Sequence, residues 1–126
     1  MAVKNSQPEA GFPVIRLKNR SDFLKARNGA RSHERAFVLQ LADRKQDIGD
    51  CLRVGYTVTK KVGSAVERNR IKRRLREALK LAEIPPSCNT KDAVFIARRS
   101  ALTLPFGVLV EDISHGLQHA RMESRR

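Results

Sequence analysis

Residues 60–76, KKVGSAVERNRIKRRLR, carry the strongest pattern in the chain. The segment holds eight of the 26 Lys and Arg residues, against a single acid, Glu67. Ser64 and Glu67 form an S-x-x-E capping box, in which each side chain satisfies a free backbone N–H at a helix start. The pattern therefore predicts a helix that begins at Ser64 and ends before Pro85 and Pro86.

The predicted helix has two different faces. At about 100° per residue, the apolar side chains fall within an arc of about 100°. They are Ile71, Leu75, Ala78, Leu79 and Ala82. The opposite side carries Asn69 and the cations Arg70, Lys72, Arg73, Arg74, Arg76 and Lys80. Such a helix packs on the protein by one face and presents fixed cations on the other, which suits a polyphosphate partner.

The whole chain has the same charge bias. Its 126 residues carry a formal net charge of +13, with a sequence pI near 10.9. Self-repulsion at this charge disfavours the compact state unless an anionic partner screens it. Nucleic acid is therefore the leading partner, ahead of a membrane surface or an acidic protein. A basic helix face that is merely solvated is the alternative, and composition does not separate RNA from DNA.

Composition and motifs exclude several classes of protein. The length fits one domain, no apolar run approaches the roughly 20 residues of a membrane span, and the N-terminus lacks an export signal. We therefore expect a cytoplasmic protein with no membrane partner. Cys51 and Cys88 suit buried thiols better than a disulfide framework or a zinc site. His115 and His119 lie one helical turn apart without a third ligand, so we expect no metal site.

Hydrophobic periodicity predicts the element order α-β-β-α-β-α, with an extra short strand near Ser32 left open. The expected elements are a helix from Asn19 or Ser21 to about Asn28, strands over 37–42, 52–59 and 92–98, and a last helix over about 104–120. The helix between the last two strands, about 18 residues long, allows them to be parallel neighbours. The implied fold is α+β, a two-layer α/β sandwich. We expect one domain over residues 15–120, with flexible tails at 1–14 and 121–126.

The segment Arg53 to Leu79, RVGYTVTKKVGSAVERNRIKRRLREAL, resembles the signature of the bacterial ribonuclease P protein subunit. Its Lys-Lys-x-Gly-x-Ala-Val-x-Arg-Asn-Arg-x-Lys-Arg string is far more specific than a generic basic helix. The similarity extends through RLKNRSDFLKARNG, AFVLQL and DAVFIARR, and so covers roughly residues 15–120. The resemblance implies a central mixed sheet of the ribosomal protein S5 domain 2-like type. It also implies a left-handed β-α-β crossover, where the general rule would give a right-handed one.

The resemblance further implies a function. In ribonuclease P the RNA subunit is the catalyst, and the protein assists hydrolysis of the phosphodiester that joins the 5′ leader to precursor transfer RNA. Mg²⁺ held by the RNA subunit and substrate would activate the water. The implied partners are the RNA subunit and precursor transfer RNA, with no obligate protein partner and no catalytic residue on the chain. A ribosomal or RNA-chaperone protein is the alternative, and a DNA regulator is disfavoured because no helix-turn-helix spacing precedes Ser64.

Candidate site residues carry over from the same resemblance. The RNA-binding set is Lys60, Lys61, Arg68, Asn69, Arg70, Lys72, Arg73 and Arg76. The leader-cleft set is Phe23, Arg27, Phe37 and Gln40. Arg27 and Gln40 stand where the family can have aromatics, so we expect leader binding to depend more on charge and hydrogen bonding than on stacking. Phe23 and Phe37 either border the cleft or pack in the core. Arg68 either touches RNA or braces the end of the helix.

Overall fold

The computed structural model describes residues 11–44 and 48–123. Within these residues, five strands form one sheet: β1 Val14–Arg16, β2 Ala30–His33, β3 Phe37–Asp43, β4 Leu52–Thr57 and β5 Lys91–Ala97. The α-helices of the same residues are α1 Arg20–Ala26, α2 Ala65–Leu81 and α3 Phe106–Glu123. Short 3-10 turns lie at Lys60–Val62, Pro86–Thr90 and Arg99–Leu102.

The sheet is mixed, with the strand order β1-β4-β5-β3-β2. β4 runs parallel to both β1 and β5, whereas β3 runs antiparallel to both β5 and β2. The α+β prediction and the parallel pairing of β4 with β5 across helix α2 are confirmed. The strand left open near Ser32 exists, as β2.

Helices α2 and α3 cover one face of the sheet. Phe37 and Leu39 of β3, Phe95 of β5, Ile71 of α2 and Ile113 of α3 lie in one core cluster, each with no exposed surface. This packing follows from the strand alternation and the apolar stripe of α2, which bury their apolar sides against each other.

The short helix α1 crosses part of the opposite face. Ala26 of α1 is buried beside Leu17 and Val94, and Phe23 packs against the same small cluster. Because α1 has only seven residues, it covers this face incompletely. Ile96 and Thr57 on this side of the sheet are half-buried. An accessible depression therefore remains beside α1.

Ordered structure begins before residue 15, the expected start of the domain. Phe12 is buried in the core, and the N–H of Leu52 donates to the carbonyl of Pro13, which brings β1 against β4. Helix α1 ends at Ala26, two residues earlier than expected, and the α3 backbone continues to Glu123. The rest of the predicted tails, residues 1–10 and 124–126, lies outside the described residues. In the described part of the chain, no helix is both long and apolar enough to cross a bilayer.

Candidate nucleic-acid interface

The predicted capping box fixes the start of α2. The N–H of Glu67 donates to the Ser64 hydroxyl at 3.2 Å, and the N–H of Ser64 donates to the Glu67 carboxylate at 3.0 Å. Arg99 adds contacts that the sequence pattern did not reveal, because its guanidinium donates to both oxygens of Glu67, at 3.0 and 2.9 Å, and to the carbonyl of Val62. The hydrogen bonds from Arg99 and from the Ser64 backbone lower the pKa of Glu67 to about 2. The junction between β4 and α2 is thus held both by the capping box and by Arg99.

The orientation of α2 matches its sequence pattern. The predicted apolar positions are all buried: Ile71, Leu75, Ala78, Leu79 and Ala82. Most of the predicted RNA-binding set is exposed: Lys60, Lys61, Asn69, Arg70, Arg73 and Arg76. Lys72 is half-buried on the flank of the helix. Packing of the apolar face therefore holds a row of cations toward the outside.

Two arginines of α2 have structural partners within the protein. The Nε of Arg68 donates to the carbonyl of Gly63 at 3.2 Å, a contact that fits the bracing role considered for Arg68, at the N-terminal end of the helix. Arg74 donates to the carbonyls of Ala101 and Leu104, at 2.6 and 2.5 Å. Arg74 therefore ties α2 to the turn that precedes α3. The remaining cations of the helix are better placed for an external ligand.

A buried ion pair positions α1 on its face of the sheet. Arg53 of β4 makes two hydrogen bonds of 2.7 Å to Asp92 of β5, and its guanidinium lies 3.4 Å from Asp22 of α1. Hydrogen bonding to Asp92 raises the pKa of Arg53. Asp22 precedes Phe23, so this network sets where the Phe23 ring lies. Sequence reasoning missed it, since the partners are far apart in the chain.

The four predicted cleft residues are in different environments. Phe23 of α1 is half-buried, and Arg27, which directly follows this helix, is exposed. Gln40 is only 3% exposed. Strand alternation puts Gln40 on the α1 side of the sheet, but its burial leaves little surface for direct contact with a leader.

The cleft assignment of Phe37 is wrong. Phe37 has no exposed surface, and its ring meets that of Phe95 edge-on, with centroids 5.0 Å apart. Its face of the sheet is the one covered by α3, where Gly116 lets the helix come close to Leu39 and Phe37. Alternation places Phe37 with Leu39 and Leu41, and that side is the core.

A groove of about 300 Å³ lies where β1 and β4 meet α2, and sequence reasoning missed it because β1 was not predicted. Tyr56, Leu79 and other apolar side chains of β1 and β4 line it. The cations that line it are Arg16, Lys72, Arg76 and Lys80. Among the described residues that line this groove, none is acidic. It thus combines an apolar lining with strong positive charge.

Phe23 connects this groove with a second depression on the α1 side. The second depression, about 360 Å³, is lined by Lys18, Arg20, Leu24, Thr57 and Phe23 itself. The ring of Phe23 lies against Gly55, where the absence of a side chain makes room for it. One aromatic side chain therefore borders both cavities, at the edge of the sheet.

The two histidines of α3 contact a carboxylate and each other. Nδ1 of His115 lies 2.8 Å from a carboxylate oxygen of Glu34, and the rings of His115 and His119 stack with centroids 5.6 Å apart. Across the residues that the structure describes, no three His, Cys, Asp or Glu side chains are grouped to hold a metal ion. The side chains of Cys51 and Cys88 are buried, as predicted.

Comparisons with known proteins place these features in a family. The family model described as Ribonuclease P matches residues 13–121. The ribonuclease P protein component of Brucella suis is 40% identical over 107 residues, covering 80% of this chain and 76% of the relative. That of Gluconacetobacter diazotrophicus is 44% identical over 106 residues, covering 83% and 90%.

Solved structures give the same result. The RNase P protein of Staphylococcus aureus superposes with a TM-score of 0.68 at 33% identity, covering 84% of this chain and 94% of that one. The RNase P protein of Thermotoga maritima superposes with a TM-score of 0.65 at 27% identity, covering 85% and 96%. Sequence and fold therefore agree over nearly the whole described chain.

Proposed function

The chain belongs to the family of ribonuclease P protein components, and from this premise we propose that it assists a catalytic RNA subunit in removing the 5′ leader from precursor transfer RNA. In this role it is an accessory subunit acting in the cytoplasm, and the RNA subunit carries out the hydrolysis. The observation that carries the proposal is the exposed cationic side of α2, held in place by the buried apolar side of the same helix.

The contribution of α2 is electrostatic. Arg70, Arg73 and Arg76 are exposed along one helix, so they are available to several phosphates at once. Each phosphate neutralised releases counterions, which favours binding and makes it depend steeply on salt. Screening of this kind lowers the repulsion between two polyanions, and the RNA subunit and precursor transfer RNA are two polyanions that must meet.

The exposed side of α2 and the groove beside it do not suit Mg²⁺. This ion prefers oxygen ligands, carboxylates above all, whereas the exposed side of α2 and the neighbouring groove present Lys and Arg. We assign Mg²⁺ to the RNA subunit and its substrate. The protein would help them hold it by reducing phosphate repulsion nearby.

The unpaired leader would bind on the α1 side of the sheet. Phe23 offers one aromatic ring, and Lys18, Arg20 and the exposed Arg27 lie on or beside the same helix. A single ring among several cations supports leader binding that depends mainly on charge, as expected from the substitution of aromatics by Arg27 and Gln40. The family match favours this function over a ribosomal or RNA-chaperone role.

Isolation of the chain with its bound RNA tests the proposal. Affinity-tagged protein, recovered from its own cells at moderate salt, should retain one abundant non-ribosomal RNA that cleaves precursor transfer RNA. The double variant Arg73→Gln and Arg76→Gln should retain less of it. Retention of ribosomal RNA alone would instead identify a ribosomal or chaperone role.

A further inference from the structure

We propose that the groove beside β1 binds one unpaired nucleotide of the 5′ leader, with its base against the apolar lining and its phosphates on the cations of α2. This inference rests on the proposed function and deepens it. It adds a second leader subsite, on the α2 side of the sheet edge, to the depression beside α1.

The charges of the groove suit a short run of phosphates. Lys72, Arg76 and Lys80 recur every four residues, so they form one stripe with a rise of about 6 Å per step. Arg16 faces this stripe from β1. A spacing of this size resembles that between successive phosphates in an extended strand. Together with the lack of acidic lining residues in the described chain, it favours a polyanion over a membrane or an acidic peptide, neither of which presents phosphates at regular steps.

The apolar lining suits a base. Tyr56 stacks on the buried Phe95, with ring centroids 5.6 Å apart and an interplanar angle of 17°, so its position is fixed. Burial raises the pKa of Tyr56, which keeps the phenol neutral beside the cations. Leu79 and Leu17 complete an apolar wall. Every base has a flat apolar face, so such a wall binds unpaired bases with little sequence preference, whereas a duplex has no base to insert.

The two cavities adjoin at the edge of the sheet. The pairing of β1 with β4 ends where Arg16 lies opposite Val54. Just beyond it, the N–H of Leu17 donates to the carbonyl of Val54 at 2.9 Å. β4 continues beyond this point to Tyr56 and Thr57. Phe23 lines both cavities at this place. A strand held beside α1 therefore lies next to the groove, which favours the leader over the RNA subunit as the source of the nucleotide.

The test uses ribonuclease P reconstituted from the chain and its RNA subunit, with precursors whose leaders increase one nucleotide at a time from none. Ile15 lines the groove and is 41% exposed, so Ile15→Glu introduces a carboxylate at the site of binding. Lys80→Gln removes one cation of the groove. Lys25→Gln is the matched control, because Lys25 is an exposed lysine of α1 that lines neither cavity.

Wild type should gain affinity as the leader lengthens. Once the leader reaches the groove, Ile15→Glu should lower the affinity for the precursor about fivefold to a hundredfold, which is the contribution of one stacked base. Lys80→Gln should lower the affinity several-fold over the same leader lengths. The affinity of Lys25→Gln should equal that of wild type at every length. A photoreactive base in the leader should crosslink to residues 14–17 or 52–57 at those lengths only. Circular dichroism confirms that each variant folds.

Other outcomes overturn the inference. Equal affinities of Lys80→Gln, Ile15→Glu and Lys25→Gln at every leader length would mean that the groove binds no leader nucleotide. A loss independent of leader length, with weaker binding to the RNA subunit, would assign the groove to that RNA. If the wild-type reconstitution itself showed no cleavage, the proposed function would fail, and the inference with it.

Discussion

At the scale of single residues, we expect leader recognition to depend on the Phe23 ring, because it borders both cavities and lies against Gly55. We expect Phe23→Leu to fold, since it keeps most of the volume. It should lose about fivefold to a hundredfold of the preference for precursor over mature transfer RNA if the ring stacks on a base. Binding of both RNAs by the reconstituted enzyme measures this preference.

Two further variants make the Phe23 result interpretable. Gly55→Ala should reproduce part of the loss, because a Cβ at residue 55 would overlap the Phe23 ring and displace it. Phe37→Leu is the matched control, because Phe37 is an aromatic of the core, so its loss should lower the unfolding temperature and leave the preference unchanged. Equal preference in wild type and Phe23→Leu would reduce Phe23 to a packing residue.

Single residues also mark the limit of sequence-based prediction. Alternation put Phe37, Leu39 and Leu41 on one side of a strand, but whether a helix or a ligand covers that side depends on where α3 packs. Arg53 was unremarkable in sequence, and its importance comes from Asp92, 39 residues away. Pairings over such distances leave no local periodicity in the sequence.

At the scale of elements, the start of α2 combines a predicted capping box with the unforeseen Arg99. Glu67→Gln should keep the hydrogen bonds of the cap but lose the charge. The pKa of Glu67 is about 2 in the folded chain, below its ordinary value of 4.5. The carboxylate therefore stabilises the fold fully above its ordinary pKa, and this contribution is lost as pH falls through the folded value.

Thermal unfolding against pH checks this linkage. The unfolding temperature of Glu67→Gln should lie below that of wild type at pH 7. The difference should shrink progressively between about pH 5 and pH 2, where the wild-type carboxylate becomes protonated. A difference that stays constant over this range would show that the Arg99 contact contributes nothing to stability.

Neighbouring arginines of α2 should differ in function. Arg73 and Arg76 are exposed, whereas Arg74 holds the carbonyls of Ala101 and Leu104. Replacing Arg73 and Arg76 together by Gln should flatten the slope of log affinity against log salt by about one to two, at roughly 0.7–0.9 per phosphate contact. The measurement is binding to the RNA subunit over a range of salt concentrations.

Arg74→Gln is the comparison for this slope. It should lower the unfolding temperature, because two carbonyls lose their donor, and leave the slope near the wild-type value. If the double variant kept the wild-type slope, Arg73 and Arg76 would be solvated surface residues that contact no phosphate.

Elements were predictable where their pattern is local. The helix α2, with its cap and its apolar stripe, shows its period within one segment. Strand β1 has only three residues, and it is stabilised by pairing with β4, about 40 residues later. The local sequence therefore has no pattern that predicts this strand. The groove that β1 helps to form was missed for the same reason.

At the scale of the whole molecule, the net charge of +13 and the mixed sheet both fit the proposed function. The charge predicted a polyanionic partner, and the family match supplies the kind of polyanion. The left-handed crossover stays a prediction of the resemblance. In the proposed role no single residue is decisive: the chain holds cations in place, and we assign the chemistry to the RNA subunit.

Reconstitution with the RNA subunit at low Mg²⁺ tests this division of labour most directly. Cleavage of precursor transfer RNA is measured with the RNA alone, with the chain alone and with both together. We predict slow cleavage by the RNA alone, none by the RNA-free chain, and fast cleavage by the two together. Cleavage by rigorously RNA-free protein, or a rate that the chain leaves unchanged at every Mg²⁺ concentration, would contradict the account.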